Sequence, residues 1–419
     1  MPGNGNSDIR SNVNRRNVLK GVAVGAIGAL GLAGGASGAT GRHIVNATDA
    51  ETVQAAKAAA DSVYKTIDLG EYGTLVSGVF PQGARKELAG RRTVKYVHED
   101  AVLTVQGPGG GPPGGGDDDP ADETLPWGID RTKADDVHAE GETGAGAHLA
   151  IIDTGIEPDH DALEANIGDG VAFETCRGGG CSEDWDDDHD HGTHVAGTAG
   201  ALDNGVGVMG VSTGATLHAL KVCDGSGFCS TSDVTDAIRY TADKHEDGDW
   251  YPAVANISLG SSSETPAYED AGQYAEDKGV LLVSSAGNDG PCTDCVGYPA
   301  AYDQYMAVSA TNIDDDLTSF SSTGPEVEIT GPGRDVCSSV TGNSYDTFSG
   351  TSMSSPHVAG AAAQLLANGY SASDARQQLK DTAEDLGLDD NDQGAGLVDV
   401  AEALGHDGVG GTGDGTDCP

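Results

Sequence analysis

From Leu125 to Leu404 the sequence alternates short apolar runs with stretches of helical spacing, and that alternation most restricts the fold. His148–Ile152, Thr216–Val222, Val254–Leu259, Val280–Ser284 and Tyr305–Ala310 read as buried strands. Thr193–Ala201, Ser232–Lys244, Pro266–Lys278, Ser354–Asn368, Ser373–Thr382 and Val398–Leu404 read as helices. Strand–helix alternation over about 280 residues predicts one α/β domain with a mostly parallel sheet.

What precedes this domain has a different character. Residues 43–106 read as a small αβ unit. Thr48 and Glu51 form a capping-box pattern ahead of a helix expected over Asp49–Tyr64. Strands are expected at Gly73–Phe80, Arg92–Val97 and Ala101–Val105. A Gly/Pro run, Gly107 to Gly116, then Asp117-Asp118-Asp119, reads as an exposed linker and a natural place for proteolysis. At the start, Arg15-Arg16 precedes Gly21–Ala36, an apolar run of 16 residues with six glycines. The run is too short and too glycine-rich for a good membrane span. It looks like a twin-arginine export signal with a small-residue cut site near Ala36-Ser37-Gly38. The expected segments are 1–38, signal; 39–106, αβ unit; 107–124, linker; 125–404, main domain; and 405–419, a Gly/Asp-rich tail.

Charge divides the chain at the same place. Residues 1–120 carry 12 basic and 12 acidic side chains, whereas residues 121–419 carry 10 and 55, the whole of the net charge of −45. Such a field repels nucleic acid and anionic membranes, so neither is an expected partner. The carboxylates are spread through segments that otherwise look folded, which argues against a disordered acidic domain. In molar salt the Debye length falls to roughly 3 Å and the self-repulsion is screened, so the composition resembles that of proteins from extreme halophiles. Eight cysteines admit 105 connectivities. Proximity suggests 176/181, 223/229 and 292/295, leaving 337/418; their spacings do not form two zinc knuckles.

Four motifs carry chemistry. Asp153 ends the apolar strand of Ala150-Ile151-Ile152-Asp153-Thr154-Gly155, at the edge where open α/β sheets build sites. His191 opens the helix of His191-Gly192-Thr193-His194-Val195-Ala196-Gly197. Asn288 lies in a glycine-flanked loop after Val283-Ser284-Ser285, where its amide could donate to an oxyanion. Ser352, in Gly350-Thr351-Ser352-Met353-Ser354-Ser355-Pro356-His357-Val358-Ala359-Gly360, stands at the mouth of a small-residue helix whose dipole favours negative charge. Each motif alone has a plainer reading: a turn aspartate, a core histidine, a turn asparagine, a capped helix start. His189, His191 and His194 also raise a metal site, but the metallo-hydrolase pattern they approach wants an aspartate where Thr193 stands. His189 is expected to be solvated and His194 to be a core residue.

Taken together, the order Asp153, His191, Asn288, Ser352 and the residues flanking them are similar to the subtilisin-like serine proteases, the subtilases. The resemblance covers roughly Leu125–Leu404. With the acidic composition and the twin-arginine pattern, the chain most resembles the halolysins, secreted proteases of halophilic archaea.

The resemblance implies a three-layer α/β domain preceded by an inhibitor propeptide, the 39–106 segment, cut off by the enzyme itself between about Gln106 and Leu125. It implies Ser352 as nucleophile, His191 as general base, Asp153 as its orienting acid and Asn288 as oxyanion donor. Peptide substrate would pair with Ser258-Leu259-Gly260 on one side and Gly225-Ser226-Gly227 on the other, and Gly287 and Gly297 would line an open primary pocket suited to large apolar side chains. No cofactor is expected for catalysis. Structural calcium is expected on the main-chain oxygens of Leu202, Val206 and Val208 and the Asn204 amide, with Ala162 standing where the family has a carboxylate and Asp161 one residue off. The run Asp184, Asp186, Asp187, Asp188, Asp190 is expected to be a solvated acidic loop. The resemblance further implies a secreted monomer with no membrane association after export.

Overall fold

Seven parallel strands form the central sheet of the computed structural model. Their spatial order is Ile167–Ala172, Thr216–Lys221, His148–Asp153, Ala253–Ile257, Leu281–Ser285, Tyr305–Thr311, Val327–Pro332. The structure describes residues 41–105, 122–177, 180–406 and 418–419. The expected signal segment and most of the expected linker and tail lie outside them.

Side chains that alternate along each strand feed two cores. Leu149, Ile151, Val254 and Val283 point to one face, where Val195, Ala199, Val358 and Ala362 of helices His191–Gly200 and Thr351–Ala367 cover them. Ala150, Ile152, Ala255 and Leu282 point to the other, under Val234, Ile238, Ala271 and Ala275 of helices Thr231–Glu246 and Pro266–Asp277. The domain is therefore three-layered. Small residues let the first two helices approach closely. A Cβ on Gly360 would lie 2.8 Å from the Ala199 carbonyl oxygen.

Residues 41–105 form a four-stranded antiparallel sheet in the order Ser62–Asp68, Thr74–Val79, Arg42–Ala47, Val94–Glu99. Helices Ala50–Ala59 and Gln82–Ala89 accompany it. Two expectations are corrected here. The first helix stops at Ala59, and Ser62–Tyr64 belong to a strand whose β-branched run favours extension. Its cap is Asp49 and not Thr48: the Asp49 carboxylate accepts the Thr52 N–H at 2.7 Å.

This sheet rests on acidic side chains of the domain's helices Thr231–Glu246 and Pro266–Asp277. Asp270 accepts from Asn46 Nδ2 at 2.6 Å, Tyr96 Oη at 2.9 Å and Lys95 Nζ at 3.3 Å. Lys65 pairs with Asp233 at 2.7 Å, and Tyr72 donates to Asp277. Asp100, itself buried, accepts the Ser232 N–H at 2.9 Å in the first turn of helix Thr231–Glu246. Disulfides join Cys176–Cys181, Cys223–Cys229, Cys292–Cys295 and Cys337–Cys418. Among the described residues no helix is long and apolar enough to cross a membrane.

Candidate active site

Register brings the candidate residues to one edge of the sheet. Ile152 pairs with Ile257, so Asp153 and Ser258 leave their strands side by side. Asp153 is buried, and its Oδ1 accepts His191 Nδ1 at 2.7 Å and the Thr154 N–H at 2.8 Å. Strand and helix meet without side chains between them: a Cβ on Gly192 would stand 2.1 Å from the Gly155 carbonyl oxygen. The His191 Nε2 is buried without a hydrogen-bond partner among the described residues. That leaves it able to take a proton from a reacting hydroxyl.

Ser352 is the second residue of its helix, and Pro356 follows four residues later. Proline has no N–H, so the Ser352 carbonyl loses its intrahelical donor. Ser258 Oγ fills that place at 3.0 Å, while Ser352 Oγ donates back to the Ser258 carbonyl at 3.1 Å. The serine is thereby tied to the strand end beside Asp153. Asn288 is oriented by the neighbouring residue: its Oδ1 accepts both the N–H and the hydroxyl of Thr351 at 2.9 Å. Its NH₂ end is thus the donor side of the amide. The Gly297 N–H bonds the Ala286 carbonyl at 2.8 Å, and Ser261 pairs with Tyr298, so Gly297 lies beside Ser261, while the Gly287 N–H donates to Thr351 Oγ1 at 3.2 Å.

An extended segment already occupies the groove between two edges. Val102–Val105 runs antiparallel to Leu259–Gly260 on one side and Phe228–Ser230 on the other. Val105 lies opposite Leu259 and Thr104 opposite Gly260, and the Val105 N–H bonds the Gly227 carbonyl at 3.1 Å.

The Subtilase family model matches residues 144–396. This chain is a subtilase. It is 40% identical over 289 residues to subtilisin DY of Bacillus licheniformis, covering 67% of this chain and 99% of that one. M-protease of Shouchella clausii is 37% identical over 313 residues, 74% of each chain, and subtilisin E of Bacillus subtilis 34% over 337 residues, 80% and 81%. The subtilase is accordingly a subtilisin-type serine endopeptidase, with peptides as its substrate class.

Several expectations about this subtilase need correction. On the second groove edge, Val102–Val105 pairs with Gly227–Ser230, which leaves the expected substrate contacts of Gly225 and Ser226 as expectations. Gly225 and Ser226 form an exposed turn around Asp224 and line a cavity of ≈ 690 Å³ with Glu157, Asp188 and His189. The acidic loop is not solvated throughout. Asp186 and Asp187 are buried, Asp188 pairs with the buried Lys221 at 2.6 Å, and Asp190 bonds Thr341. His189 is half-buried rather than fully solvated. His194 is a core residue, stacked on Phe348 and bonded to the Val336 carbonyl at 3.0 Å; burial pushes it down to about 3. His191 and His194 thus bond different partners on different elements, and the three histidines do not converge on one point.

At the 202–208 loop the sequence missed a carboxylate. Glu123 Oε1 accepts the N–H groups of Asn204 at 3.1 Å and Gly205 at 3.2 Å, and Asp122 and Thr124 bridge to Val206 and Val208. Burial and the neighbouring Asp203 push the Glu123 carboxyl up. Asp161, the carboxylate weighed from sequence, instead accepts from Asn343 Nδ2 at 2.8 Å, and only its carbonyl reaches Asn204. Ala162 is fully buried. The oxygen-rich loop, with two neighbouring carboxylates, has the donor chemistry of a hard divalent cation. The one sequence clue was an acid beside the linker's end, which nothing local connects to a loop some eighty residues on.

Proposed function

We propose that this subtilase is a secreted, halophilic endopeptidase made as a zymogen, with Ser352, His191, Asp153 and Asn288 as its reacting set. The observation that carries this reading is the buried Asp153–His191 bond at the edge where Ser352 meets Ser258. Ser352 Oγ attacks the scissile carbonyl as its hydroxyl turns from the Ser258 carbonyl to His191 Nε2. His191 takes the proton, Asp153 fixes the Nδ1–H tautomer and stabilises the imidazolium, and the proton then passes to the leaving amine. The Asn288 NH₂ donates to the tetrahedral oxyanion. Water repeats the sequence on the acyl-enzyme.

Substrate lies as a strand against Leu259-Gly260 and the Gly227 side, and a primary pocket by Gly287 and Gly297 takes large apolar side chains. Residues 39–106 act as the intramolecular inhibitor; the strand pairing of Val102–Val105 supports this. The first cut is expected within a few residues after Val105. Calcium at Leu202, Asn204, Val206, Val208 and Glu123 neutralises clustered carboxylates and takes no part in the reaction. The −45 charge and Arg15-Arg16 support work in brine after twin-arginine export.

The test is casein hydrolysis in molar salt by the intact chain and by Ser352→Ala. The parent is expected to lose residues 1 to about 106 and to cleave casein, with inhibition by sulfonyl fluorides. Ser352→Ala should stay uncut and inactive; equal activity of the two would reject the serine mechanism.

A further inference from the structure

We propose that Asp187 is a positioning residue for the Asp153–His191 pair. Its side chain is buried, and each of its oxygens takes two donors. Oδ1 accepts the Thr154 hydroxyl at 2.8 Å and the His189 N–H at 2.9 Å. Oδ2 accepts the Thr193 N–H at 2.9 Å and the Thr193 hydroxyl at 2.7 Å. Thr154 directly follows Asp153, and Thr193 follows His191 by two residues. Thr154 Oγ1 also accepts the Gly192 N–H at 2.9 Å. One carboxylate therefore clamps the strand end that carries the acid to the helix turn that carries the base.

The helix start explains why the clamp is needed. A helix normally caps itself with the side chain just before its first turn. Here that residue, Asp190, is left-handed at φ 82° and makes no side-chain cap bond; its carboxylate turns to Thr341 instead. Asp187 supplies the cap from outside, accepting the third N–H of the helix, while Thr154 accepts the second. Burial pushes the Asp187 carboxyl up, while its hydrogen bonds to Thr193 and Thr154 and the dipole of the helix favour the charged form. The direction of the His191 ring is thus set by groups that do not touch substrate.

Asparagine at 187 has nearly the same shape but cannot replace this function. Whichever way the amide lies, an NH₂ group faces either the His189 or the Thr193 backbone N–H, and that donor loses its acceptor.

The inference rests on the reading of Asp153, His191 and Ser352 as the reacting set. The two are separable, because Ser352→Ala tests the chemistry and position 187 tests only its alignment. In mature enzyme counted by sulfonyl fluoride titration, Asp187→Asn should lower kcat by about 10- to 100-fold, the scale of a misplaced catalytic group, and leave KM within about twofold. It should also shift or broaden the downfield proton resonance of the Asp153–His191 bond. A folded Asp187→Asn enzyme with parental kcat and an unmoved resonance would overturn the proposal. If that variant does not fold, position 154 decides. Thr154→Val should lose kcat in the same way, and Thr154→Ser, which restores the hydroxyl, should recover most of the loss. Failure of serine to recover it would equally overturn the proposal.

Discussion

Ser258 and Ser352 hold one another twice, each hydroxyl donating to the other's backbone carbonyl, at 3.0 and 3.1 Å. Pro356 makes this exchange possible by withholding the N–H that a helix would otherwise offer to the Ser352 carbonyl. Ser258→Ala removes the only hydroxyl in that exchange that reaches this carbonyl. Losing one hydrogen bond to a buried carbonyl costs about 0.5–1.5 kcal/mol, so the variant should melt a few degrees lower. Pro356→Ala in the same chain restores an N–H and should recover part of the loss. A calorimetric double-mutant cycle measures the coupling; purely additive effects would show that the proline does not govern this bond.

Val105 ends the strand that the N-terminal unit lays in the groove, opposite Leu259 and bonded to Gly227. Val105→Pro deletes the donor of that bond while keeping an apolar side chain. Because a scissile bond must be presented in register, the first self-cleavage should slow about tenfold, in line with a lost positioning contact. Timed gel electrophoresis of freshly folded precursor reads this directly. An unchanged rate would mean that the strand pairing does not present the bond.

The parts of this fold legible in sequence were those where one physical signal dominated. The five interior strands are continuous apolar runs, and their flanking helices begin and end within a few residues of the expected positions. The two strands of the central sheet that were missed, Ile167–Ala172 and Val327–Pro332, are its two edges. Gly168, Asp169 and Gly170 interrupt one, and Glu328, Gly331 and Pro332 the other, residues that an edge tolerates and an interior strand does not. The reacting residues stood out because their motifs are local. Glu123 and Asp187 did not, because their partners are distant or because an aspartate run looks solvated until the chain closes over it.

Acid should weaken the fold through its histidines. His218 is stacked between His148 and Trp250 and accepts the Asp169 N–H at 3.0 Å. Burial, then the charges of His148 and Lys244, push it down to about 4, with Asp169 opposing them. The unfolded chain takes up this proton near 6.5, the folded chain only near 4. The stabilisation of the neutral ring is therefore complete above 6.5 and lost as pH falls through that window, at most about 3 kcal/mol. Denaturant titrations of Ser352→Ala protein between pH 7 and 4 should show this slope, flattened in a Ser352→Ala, His218→Asn double variant. Parallel slopes would assign the acid sensitivity elsewhere.

Calcium should stabilise the chain through the 202–208 loop, and Glu123 should govern the response. Its carboxyl is pushed up by burial and Asp203, so a cation there relieves a repulsion as well as gaining ligands. At a calcium concentration 100 times Kd the gain is about 2.7 kcal/mol. Scanning calorimetry of uncut Ser352→Ala protein at constant ionic strength should show a higher Tm with calcium than with chelator. Adding Glu123→Gln should shrink that difference by half or more. A full response in that variant would move the cation away from Glu123.

The Cys223–Cys229 disulfide closes the turn that carries one groove edge. Its two cysteines also bridge backbone to backbone, and Gly227, at φ 74°, sits between them with its carbonyl on Val105. An edge that must be ordered by each substrate weakens binding by the ordering it requires, so pinning it favours long peptides over short ones. In the double variant Cys223→Ser, Cys229→Ser, kcat/KM for a peptide filling four residues of the groove should fall about tenfold, equivalent to one lost ordering contact. An ester of a single amino acid does not reach Gly227 and should be hydrolysed at nearly the parental rate. Steady-state kinetics on titrated enzyme gives both numbers, and their ratio separates the groove edge from general stability. Equal losses on the two substrates would mean that the bridge holds the fold and not the edge.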